Sequence, residues 1–422
     1  MKYCCAERGR AGRDEPLSPY LVHVLVVTSQ DMGAADRPSS APQPAHEYFT
    51  AFLDLRQRIE RAQEEIDWLR TSSGQDLLDM ATEKLNLRDM PGLAEGFSAQ
   101  DFGDLQRSAL LDLFIPYFPA GTGTAGDLAD QVQLCRAFAD PSGVTDQVVS
   151  WVTEKVTSFP RCADDLRVGS NAGDVLDPFI LAANYELLSD QSLSKTIEHT
   201  AAHKVLMKIE DLVGHLHENV ISLMRGNFRI PEPQGTRENG KERLSPDRNP
   251  FPGADVGQVP LPSRPDTIRL FQVKSKTGSA KGGDGKRLGE QLVTLQTTYH
   301  ADTFYVAVVG NTLKGHRSRG AVQKASPKTS VLVGESALNE LTQSKVGGEL
   351  LLRVYQRAFR AAAQSTGYSF SDIVGEMAAS FEADAKLGGT DFLSAWLHEA
   401  ISGNPEDQDS RLQGQRQGRR QV

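Results

Sequence analysis

Sixteen residues separate Asp255 from a Gln272-Val273-Lys274 run, and Asp255, Gln272 and Lys274 could carry hydrolytic chemistry. Carboxylate and carboxamide oxygens are hard ligands suited to a hard cation such as Mg²⁺. Such an ion neutralises charge developing on a phosphodiester and lowers the pKa of an attacking water. Side chains alternate along a strand, so Gln272 and Lys274 share a face. Gln272 can then offer its amide oxygen to the ion while Lys274 orients or activates the water. Asp255 would supply the charged ligand from a neighbouring strand. Asp266, which follows a proline, competes for that role. It lies six residues before Gln272 on the same extended run, so at ~3.3 Å per residue the two stand roughly 20 Å apart, too far to share one ion. The longer interval from Asp255 leaves room for a wide hairpin.

The elements that must position these groups are legible in the hydropathy pattern. Thr267 to Val273 and Thr303 to Val309 are apolar on both faces, as buried strands are. Leu288 to Tyr299 between them has a helical stripe of Leu288, Leu292 and Leu295. Ser330 to Val333 is a further strand, followed by helices at about 335–343 and 347–365. Upstream, Phe52, Leu55, Ile59, Ala62, Ile66 and Leu69 mark an amphipathic helix over His46 to Arg70. The chain then continues mostly helical, with breaks near Pro91-Gly92, Gly121 to Gly126, Pro141 and Pro160. A long helix, Leu193 to Met224, closes that region. Residues 231 to 265 hold eight prolines, too many for regular structure throughout, and Gln234 to Arg248 is expected to be a mobile surface loop.

Phe251-Pro252-Gly253-Ala254-Asp255-Val256, followed by Ile268-Arg269-Leu270-Phe271-Gln272-Val273-Lys274, resembles the PD-(D/E)XK pattern of type II restriction endonucleases, loosely the ApaLI-like ones. The order helix, Asp strand, Lys strand, helix, strand is similar to that family's common core, and the resemblance covers about residues 195–335. It implies an α/β fold: a restriction-endonuclease-like mixed β-sheet core flanked by helices, with a helical N-terminal region. The expected organisation is an N-terminal arm over 1–45, helical segments over 46–192, a nuclease core over 193–345, C-terminal helices over 346–405 and a disordered tail over 406–422. Met32 is an internal candidate for the true start. The family usually has Glu or Asp where Gln272 stands, so a compensating carboxylate is expected, either Glu218 on the preceding helix or Glu290 on the following one.

The activity implied by the resemblance is Mg²⁺-dependent cleavage of double-stranded DNA at a specific site, leaving 5′-phosphate and 3′-hydroxyl ends. A homodimer and a cognate DNA methyltransferase in the same restriction-modification system are implied with it. Glutamine at that position also occurs in Mrr-like, modification-dependent enzymes, which makes a modification-dependent endonuclease the alternative. A non-catalytic DNA-binding protein on the same scaffold is the more distant one.

Charge distribution supports a polyanionic partner although the net charge is -9. From Arg264 to Arg287 seven basic residues face two acidic ones, and Asn311 to Lys328 carries five basic residues unopposed. Local clustering, not the sum, governs phosphate binding. Lys276, Lys281, Lys286, Arg287, Lys314, Arg317 and Arg319 are the expected DNA contacts. The glycine-rich segment Gly278 to Lys286 fails the nucleotide-binding P-loop spacing, and Arg287 replaces the Ser/Thr that would hold magnesium. His199 and His203 stand four apart but lack the zinc-protease arrangement, and no GxSxG element occurs. No window is apolar enough to span a bilayer. The Leu21 to Val27 run lacks a clear cleavage site, and the four cysteines show no zinc-type pairing. A cytoplasmic protein with reduced thiols is expected.

Overall fold

The computed structural model describes residues 45–118, 122–159, 177–231, 235–238, 241–244, 251, 253–276, 284–309, 317–388 and 393–394. The N-terminal arm as far as residue 44, the tail over 406–422 and the expected DNA contacts Lys281 and Lys314 lie outside these residues. Backbone contacts gather the chain into two compact units, Met1–Val148 with Gly214–Gln356, and Val149–Val213 with Arg357–Val422.

The first unit opens with α1 (Ala45–Thr71), whose Leu55, Ile59, Ala62, Ile66 and Leu69 are buried as their spacing predicts. Ser73 and Asp76 form a reciprocal capping box that starts α2 (Gly74–Lys84). Helices α3 (Ala99–Gly103), α4 (Arg107–Phe114) and α5 (Thr122–Ala137) complete this layer. The break expected over Gly121 to Gly126 falls partly inside α5. Gly126 is helical, and its carbonyl accepts from the Arg107 side chain of α4 at 3.5 Å. Such an approach leaves little room for a side chain.

Helix α6 (Pro141–Thr157) follows, then α7 (Pro178–Leu187) and α8 (Leu193–Ser222). Gly226, at φ +81, turns the chain out of α8 into the sheet. Among the described residues that sheet has five strands in the order β1 (Asn227–Arg229), β4 (Val256–Gln258), β5 (Arg269–Lys276), β6 (Asp302–Val309) and β7 (Ser330–Val333). The β1–β4 and β4–β5 pairs are antiparallel, and the β5–β6 and β6–β7 pairs are parallel. The parallel steps need crossovers, which α9 (Asp284–Tyr299) and α10 (Arg317–Ala325) supply. These two helices meet closely at Gly289, where an added Cβ would stand 2.6 Å from that of Ala325. Helix α11 (Glu335–Thr342) contacts β6 and β7, and α12 (Gly347–Thr366) follows.

The stretch expected as a mobile loop instead contains a hairpin, β2 (Gly235–Glu238) against β3 (Lys241–Leu244), in the register Glu238↔Lys241. Asn239-Gly240 between them is the residue pair that two-residue hairpin turns prefer, a local signal outweighed by the polar composition.

One apolar core joins the N-terminal helices to the sheet, from Leu55 and Phe114 to Leu270, Leu292 and Tyr305. Among the described residues of this unit three arginines are buried. Arg225 lies over the Trp68 ring at 4.5 Å and donates to the carbonyls of Cys135 and Glu65. Arg136 and Arg269 are considered below. In the second unit, α7, α8 and α13 (Phe370–Gly388) enclose Leu181, Ile197, Ala201 and Met377. Among the described residues no helix is long and apolar enough to cross a membrane.

Candidate active site

Strand β4 has three residues and β5 has eight, so β5 runs past the end of its antiparallel partner. The register Val256↔Phe271 places Asp255 opposite Gln272, where the β4 ladder stops. A backbone N–H left there needs an acceptor. Asp255 provides it: its Oδ2 accepts from the Val273 N–H at 2.8 Å. The same oxygen accepts from Gln272 Nε2 at 2.5 Å and stands 3.9 Å from Lys274 Nζ. Three successive residues of β5 therefore converge on one carboxylate oxygen. The approach to Asp255 is held by Phe251, edge-on to Tyr299 of α9, and by Gly253, at φ +84, with Gln291 packed against it.

Burial pushes the Asp255 carboxyl up to about 7 from its ordinary 3.8. Lys274 opposes that shift, Glu218 adds to it by like-charge repulsion, and the Val273 hydrogen bond and Arg229 pull the other way. Glu218, on α8, is thus the second carboxylate whose charge Asp255 feels. Glu290 is 61% exposed and lies 3.6 Å from Lys286 one turn back on α9.

A raised carboxyl pKa costs stability once the unfolded chain has ionised and the folded one has not. The metal-free protein is therefore expected to lose stability as pH rises from 3.8 to about 7, and to show no further loss from this group above that. The slope is at most about 1.4 kcal/mol per pH unit. With 23% of the Asp255 side chain exposed, solvent screening reduces it. Urea unfolding in chelator, for the wild type and Asp255→Asn across this range, measures the difference; parallel profiles contradict the assignment.

No family model matches the chain, and no curated protein matches it.

Those of the expected basic contacts that are among the described residues fall at one end of the sheet. Lys274 and Lys276 end β5, α9 begins with Lys286 and Arg287 in its first turns, and α10 begins at Arg317, with Arg319 beside it. Lys286 and Arg287 are exposed and Arg319 is half-buried. Two members of the basic count are spent elsewhere, since Arg264 pairs with Asp302 and Arg269 is buried against Glu340 and Gln258. Asp266 is exposed in the turn before β5, at the far end from Lys274.

Two neighbours escaped sequence reasoning. Arg229 of β1 influences Asp255 and donates to Asn219 of α8. Tyr305, fully buried on β6, pairs in register with Gln272, and its hydroxyl has no hydrogen-bond partner among the described residues. Neither residue stands near the motif in sequence, so spacing held no signal for them. His199 bonds Ser189 at 3.1 Å and His203 is exposed. Among the described residues no three His, Cys, Asp or Glu side chains gather to hold an ion.

Proposed function

We propose that this chain is a Mg²⁺-dependent endonuclease of double-stranded DNA on a PD-(D/E)XK-like core. The observation that carries the reading is the convergence of Gln272, Val273 N–H and Lys274 on Asp255 Oδ2, at the sheet end that also holds Lys276, Lys286, Arg287, Arg317 and Arg319. The order helix α8, strand β4 after Asp255, strand β5 with Lys274, helix α9 and strand β6 supports it, because the sequence resemblance implies that order.

The donor set fits a hard cation: two carboxylates, Asp255 and Glu218, with the Gln272 carboxamide between β4 and β6. Bound there, Mg²⁺ would neutralise charge on the phosphate and acidify a water. Gln272 now turns its Nε2 toward Asp255, so its oxygen becomes a ligand only after the amide rotates. Lys274 holds its ammonium beside Asp255, where it can orient the water and offset charge on the attacked phosphate. The basic residues around the site bind the DNA backbone, which makes affinity salt-dependent but supplies no sequence preference. Cleavage of both strands at a symmetric sequence calls for two copies of the chain related by a two-fold axis.

Incubation with Mg²⁺ and either unmethylated or methylated plasmid tests the reading. Wild type is expected to cut, leaving 5′-phosphate ends, and Lys274→Ala to slow the reaction by about 10²- to 10⁴-fold. Cutting confined to methylated DNA selects the modification-dependent class. Binding of either DNA without cleavage under any divalent ion replaces the nuclease by a DNA-binding protein.

A further inference from the structure

Basic groups that grip the DNA backbone carry no sequence information, so selection of a site calls for an element that reaches base edges. The β2–β3 hairpin is placed to be that element. It is a separate antiparallel pair, outside the five-stranded sheet. A two-stranded β-ribbon is one of the two elements that the major groove admits.

Its position follows from the strand directions. Pairing of Arg229 with Val256, and of Val256 with Phe271, brings the end of β1 and the start of β4 to the end of the sheet toward which β5 runs. That end carries Lys274. The chain therefore leaves the sheet for the ribbon, and returns from it, at the candidate active site. Both feet are fixed there. The Ile230 N–H donates to the backbone carbonyl of Asp255 at 3.3 Å, so the outgoing chain is bonded to the site residue itself. The returning chain is held at Phe251, buried edge-on to Tyr299 at 5.0 Å between ring centres.

The ribbon's sequence is polar. Gly235 to Leu244 contains Arg237, Lys241 and Arg243 with Glu238 and Glu242, and Leu244 is its one aliphatic residue. A lone strand pair is marginal in water and needs a further surface to pack against, yet this one has no apolar face to offer a protein core. The register puts Thr236, Glu238, Lys241 and Arg243 on one face of the ribbon, and Arg237 and Glu242 on the other. These residue types match base edges: arginine or lysine suits guanine, and glutamate suits the cytosine amino group. Four residue pairs at ~3.4 Å each make a ribbon of roughly 13 Å, longer than the ~8.5 Å depth of the groove. Gly235 follows Ile230 by five residues, which keeps the base of the ribbon within roughly 17 Å of that foot.

From this placement we infer that the β2–β3 ribbon is the base-reading element, entering the major groove beside the phosphate on which Asp255 and Lys274 act. The bases it reads lie within about one helical turn, ~34 Å, of the cut. The inference rests on the nuclease reading for its DNA ligand.

Selection from random duplexes by the full chain in Ca²⁺, which avoids turnover, tests it, with one library unmodified and one carrying 5-methylcytosine. Wild type is expected to enrich one short motif. Arg237→Ala and Arg243→Ala should each lose about tenfold of that preference while binding unselected duplex as wild type does. Replacing Thr236 to Arg243 by a Gly-Ser linker should abolish the motif, with an unchanged melting temperature as the check on folding. Methylation of guanine N7 within the motif, in the major groove, should block binding, whereas methylation of adenine N3, in the minor groove, should not. The ribbon loses this role if no motif emerges from either library, if the motif survives undiminished in the point variants and the linker variant, or if only minor-groove methylation interferes. Cleavage in Mg²⁺ separates the two proposals. Ribbon-dependent selection without cutting removes the nuclease and keeps the ribbon; cutting with selection indifferent to the ribbon does the reverse.

Discussion

An Asp255→Asn variant is expected to lose about 10³-fold or more of the Mg²⁺-dependent cleavage rate while keeping its fold. The reason lies in the geometry of one oxygen. Asp255 Oδ2 is the point on which the Gln272 amide, the Val273 N–H and the Lys274 ammonium converge, and it belongs to the carboxylate that we propose holds the ion. Asparagine preserves shape and can still accept from Val273, but it removes the charge that draws in a divalent cation. Neighbouring substitutions should divide the effect. Glu218→Gln is expected to weaken Mg²⁺ binding and to recover rate at higher Mg²⁺, because Glu218 acts on Asp255 through its charge. Lys274→Ala should lower the rate at saturating Mg²⁺ without such recovery. Calorimetric titration with Ca²⁺ gives a readout free of turnover: affinity should fall in Asp255→Asn and Glu218→Gln and hold in Lys274→Ala. Wild-type cleavage by Asp255→Asn removes the site from consideration.

Replacing Arg136 by leucine is expected to destabilise the protein by about 3–5 kcal/mol. Arg136 lies on α5 with its side chain 1% exposed, and Asp104, at the end of α3, accepts from its Nε at 2.7 Å. Its other nitrogens donate to the carbonyls of Thr342 and Gln343, at the C-terminal end of α11. Those carbonyls have no partner within the helix, and together they carry its negative end. The guanidinium thus satisfies a buried carboxylate and a helix terminus at once. Gly103 is pressed against its side-chain stem, where an added Cβ would come within 2.2 Å of Cγ. Leucine leaves Asp104 with the Ser344 hydroxyl as a donor and orphans both carbonyls. Urea denaturation measures the loss, and adding Asp104→Asn should restore part of it, since the uncompensated charge is then gone. A change below about 1 kcal/mol, the level of an exposed pair, contradicts this account.

Periodicity made much of the fold legible. The three- and four-residue spacing of Leu55, Ile59, Ala62, Ile66 and Leu69 located α1, and unbroken apolar runs located β5 and β6, because burial of one face or both leaves a local record in the chain. Alternation along a strand likewise put Gln272 and Lys274 on one face, and the distance along β5 disfavoured Asp266. What pairs with what depends on residues far apart in the chain. The three-residue β1, the electrostatic influence of Glu218 on Asp255 and the burial of Arg269 beneath a nominally basic segment are all of this kind. Tertiary structure alone decided them, since a charge counts toward a site only through its distance and its exposure to water. Sequence by itself located α1, β5, α9 and β6 and singled out Asp255, Gln272 and Lys274. Their convergence on one oxygen came from the tertiary register, where a short β4 ends beside a longer β5 and the carboxylate completes the interrupted ladder.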